Sequence, residues 1–193
     1  MFLAKGAGYF NPDEAARRIR SVNPGLSDAE ANSVAWNQGK RLLQLAIAER
    51  LNFAFETTLG GNTIPALLGS ALSAGLDVRI WYVGLSGVEL HLARVRARAG
   101  KGGHAIPERK IRDRYDRSRL NLIRLIPRLT ELLVYDNSEE ADPDAGARPE
   151  PKLLLNMASG KMVHSCDLQF IPEWAKPIVA AALKTAGSQA RRR

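Results

Sequence analysis

Apolar residues recur every three to four positions through long stretches of the chain, and short β-branched and aromatic runs separate those stretches. Asn11-Pro12-Asp13 predicts a helix start, with Asn11 as N-cap and Pro12 at the first helical position. That helix runs to about Ser21, and Asn23-Pro24-Gly25 breaks it. Ser27, with Glu30 three residues on, predicts a capping box. The second helix runs to about Leu51, with Val34, Leu42, Leu45 and Ala46 on one side and Trp36, Leu43 and Ile47 on the other, so both sides are expected to be covered. Further helices are predicted over 64–74, 88–98, 107–126 and 172–186. Ile111, Tyr115, Leu122 and Ile126 form the expected core side of the 107–126 helix. Strands are predicted at 53–57, 78–83, 131–135 and 152–156, and Ser159-Gly160-Lys161 turns the chain into 162–165. Strands alternating with helices predict an α/β fold, with a mostly parallel sheet flanked by helices.

Composition agrees with a soluble domain: 45% of the 193 residues are hydrophobic and 25% are charged. No run is long enough to span a bilayer, and the N-terminal apolar stretch is too short for a secretory signal. Cys166 is the single cysteine, so no internal disulfide forms and a cytoplasmic location is expected. Met157, Met162 and Cys166 are expected in the core. Residues 139–151 read as an acidic, Pro-rich linker between a domain at 1–138 and an extension at 152–193.

Charge changes the picture more than composition does. The formal net charge is +8, and ten basic residues stand against three acidic ones between Arg94 and Arg119. Such a patch attracts phosphate groups. Arg94 and Arg98 share one helical face, and Arg114 and Arg117 share another, across the Gly-rich hinge 100–104. A solvated helical surface is the competing reading, and it keeps Arg96, Arg109 and Arg112. Glu56 ends an apolar strand, where ligands of open α/β sheets sit, and Thr57 and Thr58 can add hydrogen bonds. A strand-end acid paired to an arginine is the alternative. Asp13, taken alone, is an acid in a first helical turn. His104 either contacts ligand or caps the next helix, and Asp136 and Asn137 either hold a base or close a turn. No set of metal ligands stands out.

Four ordered segments carry a resemblance. Asn11-Pro12-Asp13-Glu14-Ala15-Ala16 matches N-x-D-x-x-A, and Phe53 to Gly60 matches F-x-x-E-T-T-L-S. The third segment comprises Tyr82 to Leu85, Glu89-Leu90, Arg94-Val95, Arg98, Gly102-Gly103-His104, Ile106-Pro107, Ile111, Arg114-Tyr115, Arg117-Ser118 and Asn121-Leu122; the fourth is Tyr135 to Ser138. Over roughly residues 2–138 this set resembles the zeta toxin family of P-loop kinases. The resemblance implies an ATP-dependent kinase that moves the γ-phosphoryl group of ATP·Mg²⁺ to a hydroxyl, with a UDP-sugar such as UDP-N-acetylglucosamine as acceptor. It implies Asp13 as general base, with Arg94 and Arg98 acting on the transferred phosphate. Glu56, Thr57, Thr58 and His104 would bind the acceptor, and Arg94, Arg98, Arg114, Arg117, Asp136 and Asn137 would bind ATP. The same resemblance implies an antitoxin partner, and nucleic acid is not the expected partner.

The sequence departs from the family at one place. Family members carry a strand and G-x-x-x-x-G-K-[ST] before the segment matching Asn11. Lys5-Gly6-Ala7-Gly8 has no Gly-Lys-Ser/Thr after it, and Gly160-Lys161 is followed by Met. The first strand and phosphate loop are therefore expected to be absent, either because the true start lies upstream or because this is a degenerate copy. The second functional reading follows: a catalytically inactive relic, or a module that binds anions or nucleic acid.

Overall fold

The computed structural model describes residues 8–100, 106–139 and 150–190. The chain is α/β and divides into two compact units. One contains the chain up to Thr58 together with Asn62–Leu76; the other contains Leu59–Gly61 and the chain from Asp77 onward.

The first unit begins with a strand that the sequence reading did not anticipate, β1 (Gly8–Phe10), which pairs in parallel with β2 (Phe53–Phe55). Between them run α1 (Pro12–Val22) and α2 (Asp28–Ala48), and α3 (Thr63–Ser73) follows β2. The expected caps are present. Asn11 Oδ1 accepts from the Asp13 and Glu14 amides, and Ser27 and Glu30 form a reciprocal capping box. The helices α1 and α2 meet through Ala16, Ala31 and Ala35, backed by Ala15 and Ile19. Small residues let the two helices approach closely, so burial on α2 falls on Ala31, Ala35, Leu43 and Ala46. Val34, Trp36 and Leu45 are exposed, which corrects the expectation of cover on two faces. In α2, Gly39 faces the Phe10 ring at a spot where a Cβ would collide with it.

The second unit holds a four-stranded sheet in the order β3 (Arg79–Gly84), β4 (Glu131–Asp136), β5 (Lys152–Ala158), β6 (Lys161–Ser165). The β3–β4 pair is parallel, and the other two pairs are antiparallel. The mostly parallel sheet expected from sequence is therefore not what this unit contains. Ser159 and Gly160, at φ 48° and 71°, make a two-residue turn that folds β5 back on β6 as a hairpin. The helices are α4 (Val88–Gly100), α5 (Glu108–Leu125) and α6 (Lys176–Ala190). Pro172 does not open α6; it precedes it by a turn in which the Ala175 amide bonds the Pro172 carbonyl.

The core of this unit is Leu122, Ile126, Leu132, Val134, Leu155, Met157 and Ile178, all nearly free of solvent contact. Each such side chain contributes about 1.5–3 kcal/mol by leaving water. Tyr115, Met162 and Cys166 are only half-buried. Among the described residues, no helix is long and apolar enough to cross a membrane.

Candidate functional site

In the first unit, the β1–β2 pairing brings two candidate acids to one end. The register sets Phe10 opposite Phe55, and the Glu56 amide bonds the Phe10 carbonyl at 3.1 Å. Asn11 and Glu56 thus leave the carboxyl ends of adjacent parallel strands, the position where ligands of such sheets bind. Asp13 and Glu14 sit in the first turn of α1, where the helix dipole favours negative charge, and Asp13 is exposed. Glu56, Thr57 and Thr58 are exposed too.

Sequence reasoning missed Tyr9. Its phenol donates a hydrogen bond to Glu56 Oε1, and its ring is half exposed. Tyr9 stands beside Ala54 in the register, two residues before Glu56, so period-2 alternation puts both side chains on one face. The bond to Glu56 raises the phenol's pKa, a small desolvation adds to this, and the Asn11 side chain opposes it. The signal was readable only once residues 8–10 were known to be a strand.

In the second unit, the turns after β3 and β4 are stitched together. The Asn137 amide bonds the Gly84 carbonyl at 2.9 Å, and the Ser86 amide bonds Ser138 Oγ at 2.7 Å. Tyr115 reaches from α5 to the Leu85 carbonyl at 3.0 Å. Arg94, on α4, donates to the carbonyls of Asn137 at 2.7 Å and Glu139 at 2.9 Å. These bonds fix α4 over the strand ends, and a cavity of about 210 Å³ opens there, lined by Leu85, His91, Arg94, Val95 and Arg98. His91 was not singled out from sequence. Partial burial lowers its pKa, and the charges of Arg98 and Arg94 lower it further.

The remaining candidates are placed as follows. Arg114 is half-buried, and its Cβ and Cγ lie against Gly60, where a side chain on that glycine would collide with them. Arg117 is exposed on α5. Neither lines the cavity of Arg94 and Arg98. Asp136 Oδ1 accepts from Ser138 Oγ and from the Trp174 indole at 3.2 Å, so its carboxylate is held by protein groups. Asn137 Oδ1 is buried without a hydrogen-bond partner among the described residues. His104 lies outside the described residues. Arg96, Arg109 and Arg112 form surface ion pairs: Arg96 with Glu108, Arg109 with Asp113, and Arg112 with Glu89 and Glu108. Such exposed pairs contribute little.

The helices α4 and α5 share a small core of Leu92, Val95 and Ile111, packed by Val88 and Ile106. Asn121, buried in α5, donates to the carbonyls of Leu59 at 2.8 Å and Gly61 at 2.9 Å. Leu59 is buried in a left-handed conformation, φ 53°, unusual for a leucine. Asn121 therefore stabilises the backbone that follows Thr57 and Thr58.

These features define an α/β protein with acidic side chains at the ends of one parallel strand pair and a basic cavity at the ends of another. A protein of Haemophilus influenzae described as uncharacterized is 37% identical over 103 residues, covering 53% of this chain and 71% of that protein. The chain belongs to the same family as that protein. No family model matches the chain, and no solved structure matches it.

Proposed function

We propose that this chain is the body of an ATP-dependent small-molecule kinase of zeta toxin type, whose acceptor is a hydroxyl of a UDP-sugar such as UDP-N-acetylglucosamine. The observation that carries the reading is the strand-end geometry of the first unit. The motif residues Asn11, Asp13 and Glu56 emerge together from β1 and β2, 45 residues apart in sequence between Asn11 and Glu56. On this reading Asp13 orients the acceptor hydroxyl and takes its proton. Glu56, with Thr57 and Thr58, accepts and donates hydrogen bonds to the sugar. Arg94 and Arg98 meet phosphate oxygens, and Asp136 and Asn137 stand at the end of β4 beside the base. The family's antitoxin partner and a cytoplasmic location belong to the same proposal.

Magnesium needs a hydroxyl or carboxylate beside the phosphates. Among the described residues no group of three or more His, Cys, Asp or Glu side chains could hold a metal ion, and the sequence contains no G-x-x-x-x-G-K-[ST]. The described residues do not make a complete Mg²⁺ site. On the kinase reading, β3, whose second edge has no strand partner among the described residues, takes a further parallel strand carrying the phosphate loop. The sheet is then mostly parallel. The absence of that motif is what favours the second reading, a binding module without catalysis.

Calorimetric titration with UDP-N-acetylglucosamine tests the acceptor site. Glu56→Gln is expected to weaken binding at least tenfold, the order of one charge-assisted hydrogen bond. Equal affinity in the two proteins would remove Glu56 from the site.

A further inference from the structure

We propose that the cavity lined by Leu85, His91, Arg94, Val95 and Arg98 binds a phosphate-type dianion, and that binding takes up a proton on His91. The inference rests on the reading of Arg94 and Arg98 as phosphate ligands and adds a regulation to it: the site tightens as pH falls.

The charged and titratable groups lining the cavity come from α4. His91, Arg94 and Arg98 stand at positions i, i+3 and i+7, which one face of a helix presents together. Val95, between them, and Leu85, from the turn after β3, supply apolar walls. The walls reduce the screening of any charge placed inside. Arg94 gives two of its five N–H donors to the carbonyls of Asn137 and Glu139, which fixes the guanidinium and, among the described residues, leaves three donors for an anion.

The electrostatics supply the switch. Among the described residues, the charges acting on His91 are those of Arg98 and Arg94, both positive, and no carboxylate is among them. From α5, Tyr115 contributes a neutral phenol to the same turn through the Leu85 carbonyl. Glu139 presents its carbonyl to Arg94 while its carboxylate pairs with Lys152. In the free protein, partial burial and the two guanidinium groups both disfavour imidazolium. A dianion between the arginines reverses the sign of the local field, so imidazolium becomes the favoured form and gains a charge-assisted hydrogen bond. Linkage then runs both ways: the anion raises the affinity of His91 for its proton, and the proton raises affinity for the anion.

Sulfate is the probe, because it stays a dianion across the range and cannot mimic the effect by titrating itself. The pKa of His91 is followed by NMR of the imidazole carbon, with and without sulfate, at constant ionic strength set by chloride. The expected result is a free pKa below the usual histidine value, raised by about one unit on saturation. With a rise of one unit, sulfate is expected to bind roughly fivefold tighter at pH 5.5 than at 7.5, the full tenfold being reached only well below both pKa values. In His91→Gln, sulfate still binds but the pH dependence is gone; in Arg94→Gln or Arg98→Gln, sulfate binding is weakened at every pH. Thermal melts confirm that each variant is folded. Sulfate binding that leaves His91 unmoved overturns the proton linkage, and no sulfate binding at pH 5.5 overturns the site. The acceptor titration at Glu56 is read separately, so the kinase reading stands or falls on a different measurement.

Discussion

Tyr9 and Glu56 form the strand-end contact on which the proposed acceptor site turns. The phenol donates to a carboxylate that stands at a strand end, and its own ionisation is pushed up as a result. A group whose pKa is raised on folding contributes stability that is full below its unfolded value and lost as pH rises through the folded value. The Tyr9 contribution is thus present at neutral pH and disappears only in alkali. Replacing Glu56 by Gln removes the acceptor charge, so the Tyr9 phenol is expected to titrate lower, as read from the tyrosine ring carbon by NMR. An unchanged Tyr9 titration would show that the bond does not form in solution. Asn11 offers a second test at this scale. Its side chain accepts from two amides of α1, and Asn11→Ala is expected to cost about 1 kcal/mol of stability in denaturant titration. Asn11, Asp13 and Glu56 were legible in sequence because caps and strand ends have local signatures. Tyr9 was not, since its partner Glu56 is distant in sequence; His91 shares a helix with Arg94 and Arg98, but the cavity wall it joins is completed by Leu85 from another element.

Turns and close approaches decide how the elements lock. Leu59, in its left-handed conformation, is held by burial and by the Asn121 side chain of α5. Asn121→Ala leaves the Leu59 and Gly61 carbonyls without that donor and is expected to destabilise the protein by about 1–3 kcal/mol, measured by chemical unfolding. A null effect would mean that water replaces the amide without cost. At the end of β3, a Cβ on Gly84 would collide with the Trp174 ring, which also packs at a tilt against Tyr82, 6.2 Å between ring centres, and donates to Asp136. Gly84→Ala is therefore expected to expel the indole and cost about 1–3 kcal/mol, as overpacking does elsewhere, with a shift in tryptophan emission. The helices and most strands were legible because their periodicity and caps are local. The antiparallel β5–β6 pair is specified by two turn residues, Ser159 and Gly160, which the sequence marked as a turn without fixing the topology of the sheet. Burial on α2 was misjudged because hydrophobicity favoured Trp36 and Leu45, whereas close packing on α1 selects alanines.

The proposed phosphoryl transfer asks for a positioned base and for positive charge at the phosphate; strand-end acids occur in one unit and a basic cavity in the other, each described by itself. The surplus of basic residues between Arg94 and Arg119 divides by role: Arg94 and Arg98 line the cavity, while Arg96, Arg109 and Arg112 are tied to surface carboxylates. The chain carries no G-x-x-x-x-G-K-[ST], so the amide cradle and lysine of the phosphate loop have no counterpart in it. Loss of one preorganised donor commonly costs roughly 100- to 1,000-fold in rate. Residues 1–193 alone are therefore expected to show no ATP turnover, and the same residues fused behind a strand and a G-x-x-x-x-G-K-[ST] loop are expected to show it. The most direct test is transfer of labelled γ-phosphate to UDP-N-acetylglucosamine by this fusion, compared with its Asp13→Asn variant and with residues 1–193 alone. The expected result is transfer by the fusion, a loss of about 100- to 10,000-fold in Asp13→Asn as for removal of a general base, and none by residues 1–193 alone. Transfer that survives Asp13→Asn undiminished, or its absence from the fusion, would contradict the kinase reading.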